Sequence, residues 1–137
     1  MADLVSDPAL QDAYEKIRKD PETKYIVFGY ADKNKLRLDA VGGSVEEGVS
    51  KLSDSEVQYA YFKVKYQAVD NVFREKFIFV SWIGPDVKGI LVKTRPSTHL
   101  SIITQNLVKD AALTLSAPER SLLTEEHFVE EAKRVNY

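Results

Sequence analysis

Two histidines, a few hydroxyls and scattered clusters of charge are what this 137-residue sequence offers for chemistry. His99 is flanked by Ser97, Thr98 and Ser101, so a hydroxyl–imidazole pair is conceivable, with the ring taking a proton from a nucleophilic oxygen. No nucleophile-elbow pattern surrounds these residues, and a solvent-exposed side chain is the simpler reading for His99 and His127. A small hydrolase built on His99 would need a deep pocket around that ring. Gly42-Gly43-Ser44 opens a helix and could hold a phosphate on free backbone N–H groups. It lacks the P-loop lysine and the dinucleotide glycine spacing, so a turn is the better reading. The paired acids Glu46-Glu47, Glu125-Glu126 and Glu130-Glu131 fit solvated helix surface better than acid–base catalysis. No His/Asp/Glu cluster has metal-ligand spacing. The chain has no cysteine, which excludes disulfides, thiol catalysis and thiolate metal sites. No cofactor is implied.

Positive charge is the remaining lead. Arg74 and Lys76 stand together, Lys88, Lys93 and Arg95 follow, and Lys133 and Arg134 lie near the C-terminus. Any one of these clusters reads as solvated surface; a binding surface requires that they converge. The formal net charge of -2 and pI near 5.7 argue against a general nucleic-acid binder, though a local basic patch is compatible with both. Seven tyrosines are present, and Tyr59, Tyr61 and Tyr66 share one segment, where sheet packing accounts for most of them. The N-terminus has neither a basic start nor an apolar run, so no secretion signal is expected. No stretch approaches the roughly 20 apolar residues that span a bilayer, so membrane insertion is not expected and the cytosol is the default compartment.

The elements that must position these residues centre on Lys76-Phe77-Ile78-Phe79-Val80-Ser81-Trp82-Ile83-Gly84. A strand with one wet face would alternate apolar and polar residues. This one does not, so both faces should be covered. It reads as the central strand of a sheet with helices on both sides, and Arg74 and Lys76 mark its entry from solvent. Asp7-Pro8 starts a helix with Leu10, Ala13, Tyr14 and Ile17 on one stripe. Tyr25 to Tyr30 and Leu36 to Leu38 form a hairpin, the second strand having one wet face and an exposed edge whose charges oppose pairing of two copies. Ser44 and Glu47 match a capping box for a short helix, in which Gly48 costs about 1 kcal/mol relative to Ala. Val57 to Tyr66 is a third strand with Ala60, Phe62, Val64 and Tyr66 on one face and Lys63 and Lys65 opposite. An antiparallel meander of four strands is the economical arrangement.

After Gly84-Pro85, helical spacing runs through Val87, Ile90, Leu91, Leu100, Ile103 and Leu107, with a kink or break expected at Pro96 and a new cap at Ser97 or Thr98. Ala112 to Leu115 is a short strand that could lie parallel to a neighbour, and Thr124 caps a last helix. The order is α-β-β-α-β-β-α-β-α in one domain, residues 1–137: an α/β chain of the α+β type with one mixed sheet between helices.

Several of these pieces together resemble the actin-depolymerising-factor homology family, and within it the coactosin branch. They are Ala13-Tyr14-x-x-Ile17-Arg18, Phe28-Gly29-Tyr30, Arg74-Glu75-Lys76-Phe77, Ser81-Trp82-Ile83-Gly84 and Gln105-Asn106-Leu107. The resemblance implies a five-stranded, mainly antiparallel mixed sheet between two pairs of helices. It implies a non-catalytic monomer of the cytoplasmic actin cytoskeleton that binds filament sides and opposes barbed-end capping. Filamentous actin is the implied partner, with monomeric actin bound weakly if at all. The family's key filament lysine maps onto Lys76, with Arg74 beside it. The long helix facing actin maps onto residues 93–102, including Lys93, Arg95, Thr98 and His99, with Lys88 just before it, and the C-terminal helix contributes Lys133 and Arg134. A cofilin-like monomer binder and severing factor is the alternative within the same fold. Ser97, Thr98, His99 and Ser101 stand where cofilin-type members carry lysines, which argues against severing.

Overall fold

Alternation, capping and turn chemistry place the strands and most of the helices where the sequence puts them; the helix around Pro96 differs. The computed structural model describes residues 2–32, 34–68, 70–89, 94–116 and 118–136. After a 3₁₀ turn at Ala2–Val5 come helix α1 (Pro8–Lys19), strands β1 (Tyr25–Asp32) and β2 (Lys35–Gly42), and helix α2 (Val45–Ser50). Strands β3 (Val57–Gln67) and β4 (Phe73–Ile83), helix α3 (Arg95–Asn106), strand β5 (Ala111–Ser116) and helix α4 (Glu125–Asn136) follow. Asp7 caps α1 by accepting from the Ala9 amide at 3.0 Å, Ser44 caps α2 from Glu47 N, and Thr124 Oγ1 accepts from His127 N at 3.1 Å. The return half of the expected capping box is used elsewhere, because the Glu47 carboxylate accepts from the Tyr25 hydroxyl at 2.9 Å.

The sheet order is β2-β1-β3-β4-β5, with only the β4–β5 pair parallel. The expected meander is therefore corrected: β1 sits between β2 and β3, and α2 carries the chain from β2 past β1 to β3. Burial explains the exchange. β1 is buried along most of its length and needs neighbours on both sides, while half-wet β2 suits an edge. The middle strand of the five is β3; β4 lies next to it and is shielded because β5 flanks it.

Helices cover both faces, as the unbroken apolar run in β4 requires. On one face α2 and α4 pack Val45, Phe128 and Ala132 against Phe62, Ile78 and Val80. On the other, α1 and α3 pack Tyr14, Ile17 and Ile103 against Phe28, Tyr61 and Phe79. Gly48 belongs to this packing. A methyl there would lie 2.6 Å from the Tyr25 ring and 2.8 Å from Phe62, so the residue that weakens α2 is the one that lets it approach the sheet.

Pro96 does not kink a long helix. It falls in the first turn of α3, whose N-cap is Thr94 rather than Ser97 or Thr98. A proline is tolerated there because those N–H groups have no intrahelical partner. Residues 87–89 precede the helix in non-helical conformation, Gly89 with φ of 94°, while Ile90 and Leu91 lie outside the described residues.

Three buried phenols tie the fold to pH. Burial, then the hydrogen bond and charge of Glu47, push Tyr25 up to about 12. Burial raises Tyr61, and burial followed by the Asp110 hydrogen bond raises Tyr14. The unfolded chain loses these protons near pH 10, before the folded chain does. The stability they contribute is therefore intact below pH 10 and lost as the pH climbs past it. The thermal midpoint should fall between pH 8 and pH 11, and fall less for Tyr25→Phe; an equal fall in both proteins would contradict the assignment.

Candidate functional site

The hairpin of β3 and β4 is longer than the sheet behind it. β1 pairs with β3 only as far as Phe62, and β5 pairs with β4 only from Phe77 onward. Lys63 still reaches Lys24 O through its amide, at 2.9 Å. Beyond it, residues 64–67 and 73–76 hydrogen-bond as strands only to each other and form a two-stranded arm. The arm closes through a tight loop in which Ala68 N donates to Val72 O and Asn71 N to Ala68 O, each at 2.9 Å. Asn71 has a φ of 67°, which asparagine tolerates better than most residues.

Register decides which way the charges point. Arg74 stands opposite Tyr66 and Lys76 opposite Val64, so all four share the face that α4 covers. Lys133 of α4 places its ammonium 5.7 Å from the centre of the Tyr66 ring. Two of the three basic clusters thus meet: Arg74, Lys76 and Lys133 surround one buried aromatic. Arg74 pairs with Asp70 at 2.9 Å and Arg134 with Glu131 at 3.3 Å, wet pairs that contribute little to stability. Among the described residues neither Lys76 nor Lys133 has a carboxylate partner, so their charge is available to a ligand. The opposite face carries Lys65 over the Phe73 ring at 5.9 Å. Val72 and Phe73 are 53% and 63% exposed, two of the three large apolar side chains left in water among the described residues.

Of the third cluster only Lys88 can be placed, and it does not join them. Lys88 is exposed and follows the far end of β4, and the seven residue steps of strand from Lys76 to Ile83 span roughly 23 Å. Lys93 and the side chain of Arg95 lie outside the described residues. Thr98 is exposed on α3, on the other side of the sheet.

His99 is not solvent-exposed, contrary to expectation. It is 7% exposed, with Nδ1 at 2.8 Å from the Tyr30 hydroxyl, which lies 2.6 Å from the Tyr59 hydroxyl. The hydroxyl beside the imidazole is thus a phenol of β1 rather than Thr98 or Ser101. The network pins α3 to β1 and β3, and the two surface concavities described for this chain lie elsewhere. His127 is half-buried, 3.7 Å from Glu131.

Lys63 is the functional-looking side chain whose role sequence patterning missed. It is 2% exposed, and its ammonium donates to Ile17 O and Asp20 O, both at 2.8 Å. It thereby satisfies carbonyls at the C-terminal end of α1. Burial lowers its pKa from the usual lysine range, with Glu75 acting in the opposite direction. The available signal was its place between Tyr61 and Lys65 in a strand whose other residues are nearly all apolar.

Known proteins share this architecture over its whole length. A family model described as cofilin/tropomyosin-type actin-binding protein matches residues 4–133. Coactosin from Dictyostelium discoideum is 32% identical over 137 residues, covering 98% of this chain and 91% of that protein. The crystal structure of coactosin from Entamoeba histolytica superposes with a TM-score of 0.83 at 26% identity, covering 98% of this chain and 97% of that one. Human coactosin-like protein has the same fold, with a TM-score of 0.85 at 20% identity over 96% and 98% of the two chains. The chain therefore belongs to the cofilin/tropomyosin-type actin-binding family, with the actin-depolymerising-factor homology fold, in its coactosin branch.

Proposed function

We propose that this coactosin-type protein binds the sides of actin filaments through the hairpin arm and the end of α4. It does so as a monomer of the cytoplasmic cytoskeleton, and by occupying filaments it opposes barbed-end capping. The observation that carries this reading is the meeting of Arg74, Lys76 and Lys133 around Tyr66, with Lys76 and Lys133 unneutralised and Phe73 exposed nearby. Actin is acidic, so such a patch would steer association and set register although the chain carries a net charge of -2. Contacts at the rim of that interface would weaken with salt. The network around His99 supports a binding role over a hydrolytic one, because its imidazole is packed against phenols that hold it in place.

Co-sedimentation with filaments at low and raised salt tests the reading. Lys76→Ala should weaken filament binding by about 1–2 kcal/mol, five- to thirtyfold, with thermal stability unchanged. A folded variant that pellets as well as its parent would remove Lys76 from the interface. Filament lengths left unchanged by the parent protein would separate side binding from cofilin-like severing.

A further inference from the structure

The arm that carries the basic patch has two acids of its own, and they stand on different sides of it. From Val64 to Lys76 only Asp70 and Glu75 are acidic. Glu75 lies opposite Lys65 in the β3–β4 register, on the face away from Arg74 and Lys76. Asp70 sits in the closing loop and reaches the basic face, where its Oδ2 accepts from Arg74 Nη2 at 2.9 Å. Of the three cations around Tyr66, Arg74 is thus matched in advance. Lys76 and Lys133 have no carboxylate partner among the described residues.

The loop's own bonds fix that carboxylate in place. Asp70 Oδ1 accepts from Val72 N at 3.1 Å, which leaves Oδ2 for Arg74. Ala68 N donates to Val72 O, Asn71 N to Ala68 O, and Gln67 Nε2 to Asn71 O at 3.1 Å. Ala68 is buried in the core that α4 covers, so the loop is seated on the body of the protein. The ion pair is nevertheless wet, its side chains 41% and 51% exposed, and a wet pair exchanges partners readily. An acid on a filament can displace Asp70 from Arg74. The exchange trades one arginine–carboxylate pair for another and leaves Asp70 unpaired beside the incoming acid. Arg74 therefore adds less to affinity than its place in the patch suggests.

We propose that Asp70 is a built-in counter-ion that holds Arg74 back from the filament, so that affinity is set by Lys76 and Lys133. The proposal rests on the filament reading above and names a brake within that same site. Releasing the brake frees a planar fork of donors, which suits carboxylates better than either lysine ammonium does. Asparagine at position 70 would do this without undoing the loop. Its side-chain oxygen still accepts from Val72 N, but its neutral amide does not cancel a guanidinium.

Filament co-sedimentation at physiological salt tests the brake. Asp70→Asn should bind filaments about three- to fivefold more tightly than the parent, with an unchanged melting midpoint. Removing any acid near an acidic partner helps through long-range charge alone, so the same substitution is repeated in Arg74→Gln. There the gain should shrink to less than about twofold, because the guanidinium to be released is missing. Glu75→Gln removes an equal charge from the opposite face and should change affinity by less than about twofold. Weaker binding by Asp70→Asn would mean that Asp70 aims Arg74 at the filament, and would overturn the proposal. Unchanged binding would overturn it too, as would an equal gain without Arg74 or an equal gain in Glu75→Gln. If Lys76→Ala weakens binding while Asp70→Asn does not strengthen it, only the brake falls. If Lys76→Ala binds like its parent, or the parent does not pellet with filaments, the interface and the brake fall together.

Discussion

Replacing Gly84 with alanine is expected to cost about 3 kcal/mol of stability and to lower the melting temperature by about 10 °C. The cause is space, not backbone conformation. A methyl at this position would lie 2.6 Å from Ser53 O and closer still to the Asp54 carbonyl. These are backbone atoms, so no rotamer change relieves the clash; the loop leading into β3 must move. That loop is held by Gly84 N donating to Glu56 O at 3.0 Å, Asp86 N to Asp54 O at 2.8 Å and Trp82 Nε1 to Ser53 O at 2.7 Å. Displacing it weakens all three bonds together and loosens the packing over the buried Trp82 ring. Circular-dichroism melting measures the effect, and a midpoint within about 2 °C of the parent would show that the loop yields freely.

Lys63→Met should lose nearly as much, about 2–3 kcal/mol. The methionine fills the same channel but leaves Ile17 O and Asp20 O without their charged donor. Each such bond is worth about 1.5–3 kcal/mol, and the relief of removing a buried charge offsets part of the sum. The pH dependence identifies the mechanism. Because burial holds the folded pKa below the unfolded one, the ammonium is penalised while charged. That penalty is complete below the folded pKa and is relieved as the pH rises through it toward the unfolded value near 10.4. The variant has no such limb, so its deficit should widen across that window. Urea unfolding at neutral and alkaline pH, with hydrogen exchange at the end of α1, checks both points. A variant as stable as the parent, with the end of α1 equally protected, would mean that the two carbonyls find water instead.

The order of elements, their caps and the two-sided covering of β4 were legible because each rests on local pattern. Asp7-Pro8, Ser44 and Thr124 announce helix starts through their own side chains, and the apolar run from Phe77 to Ile83 announces cover on both faces. Which strand neighbours which was not local. The swap of β1 and β2 depends on α2 bridging one strand, although the wetter composition of β2 was a usable hint of an edge. Pro96 was misplaced because helical spacing seemed continuous across residues 87–107, whereas the chain is non-helical at 87–89 and α3 starts only at Arg95. The approach of Lys133 to Tyr66 joins residues 67 apart in sequence, and Arg120 meets Asp54 from 66 residues away and Trp82 from 38. Spacing cannot reveal contacts that only the closed sheet creates. His99 was misread for the same reason: its hydroxyl neighbours in sequence are not its neighbours in space.

The overhang of β3 and β4 also has a mechanical consequence. Its strands cross-link through bonds roughly perpendicular to their length. A tug along the strands strains these rungs simultaneously, whereas a tug that peels the tip sideways strains them one at a time. Anything gripping the tip would meet stiff resistance in one direction and compliance in another. A protein anchored this way to a moving track would hold or let go according to the direction of travel.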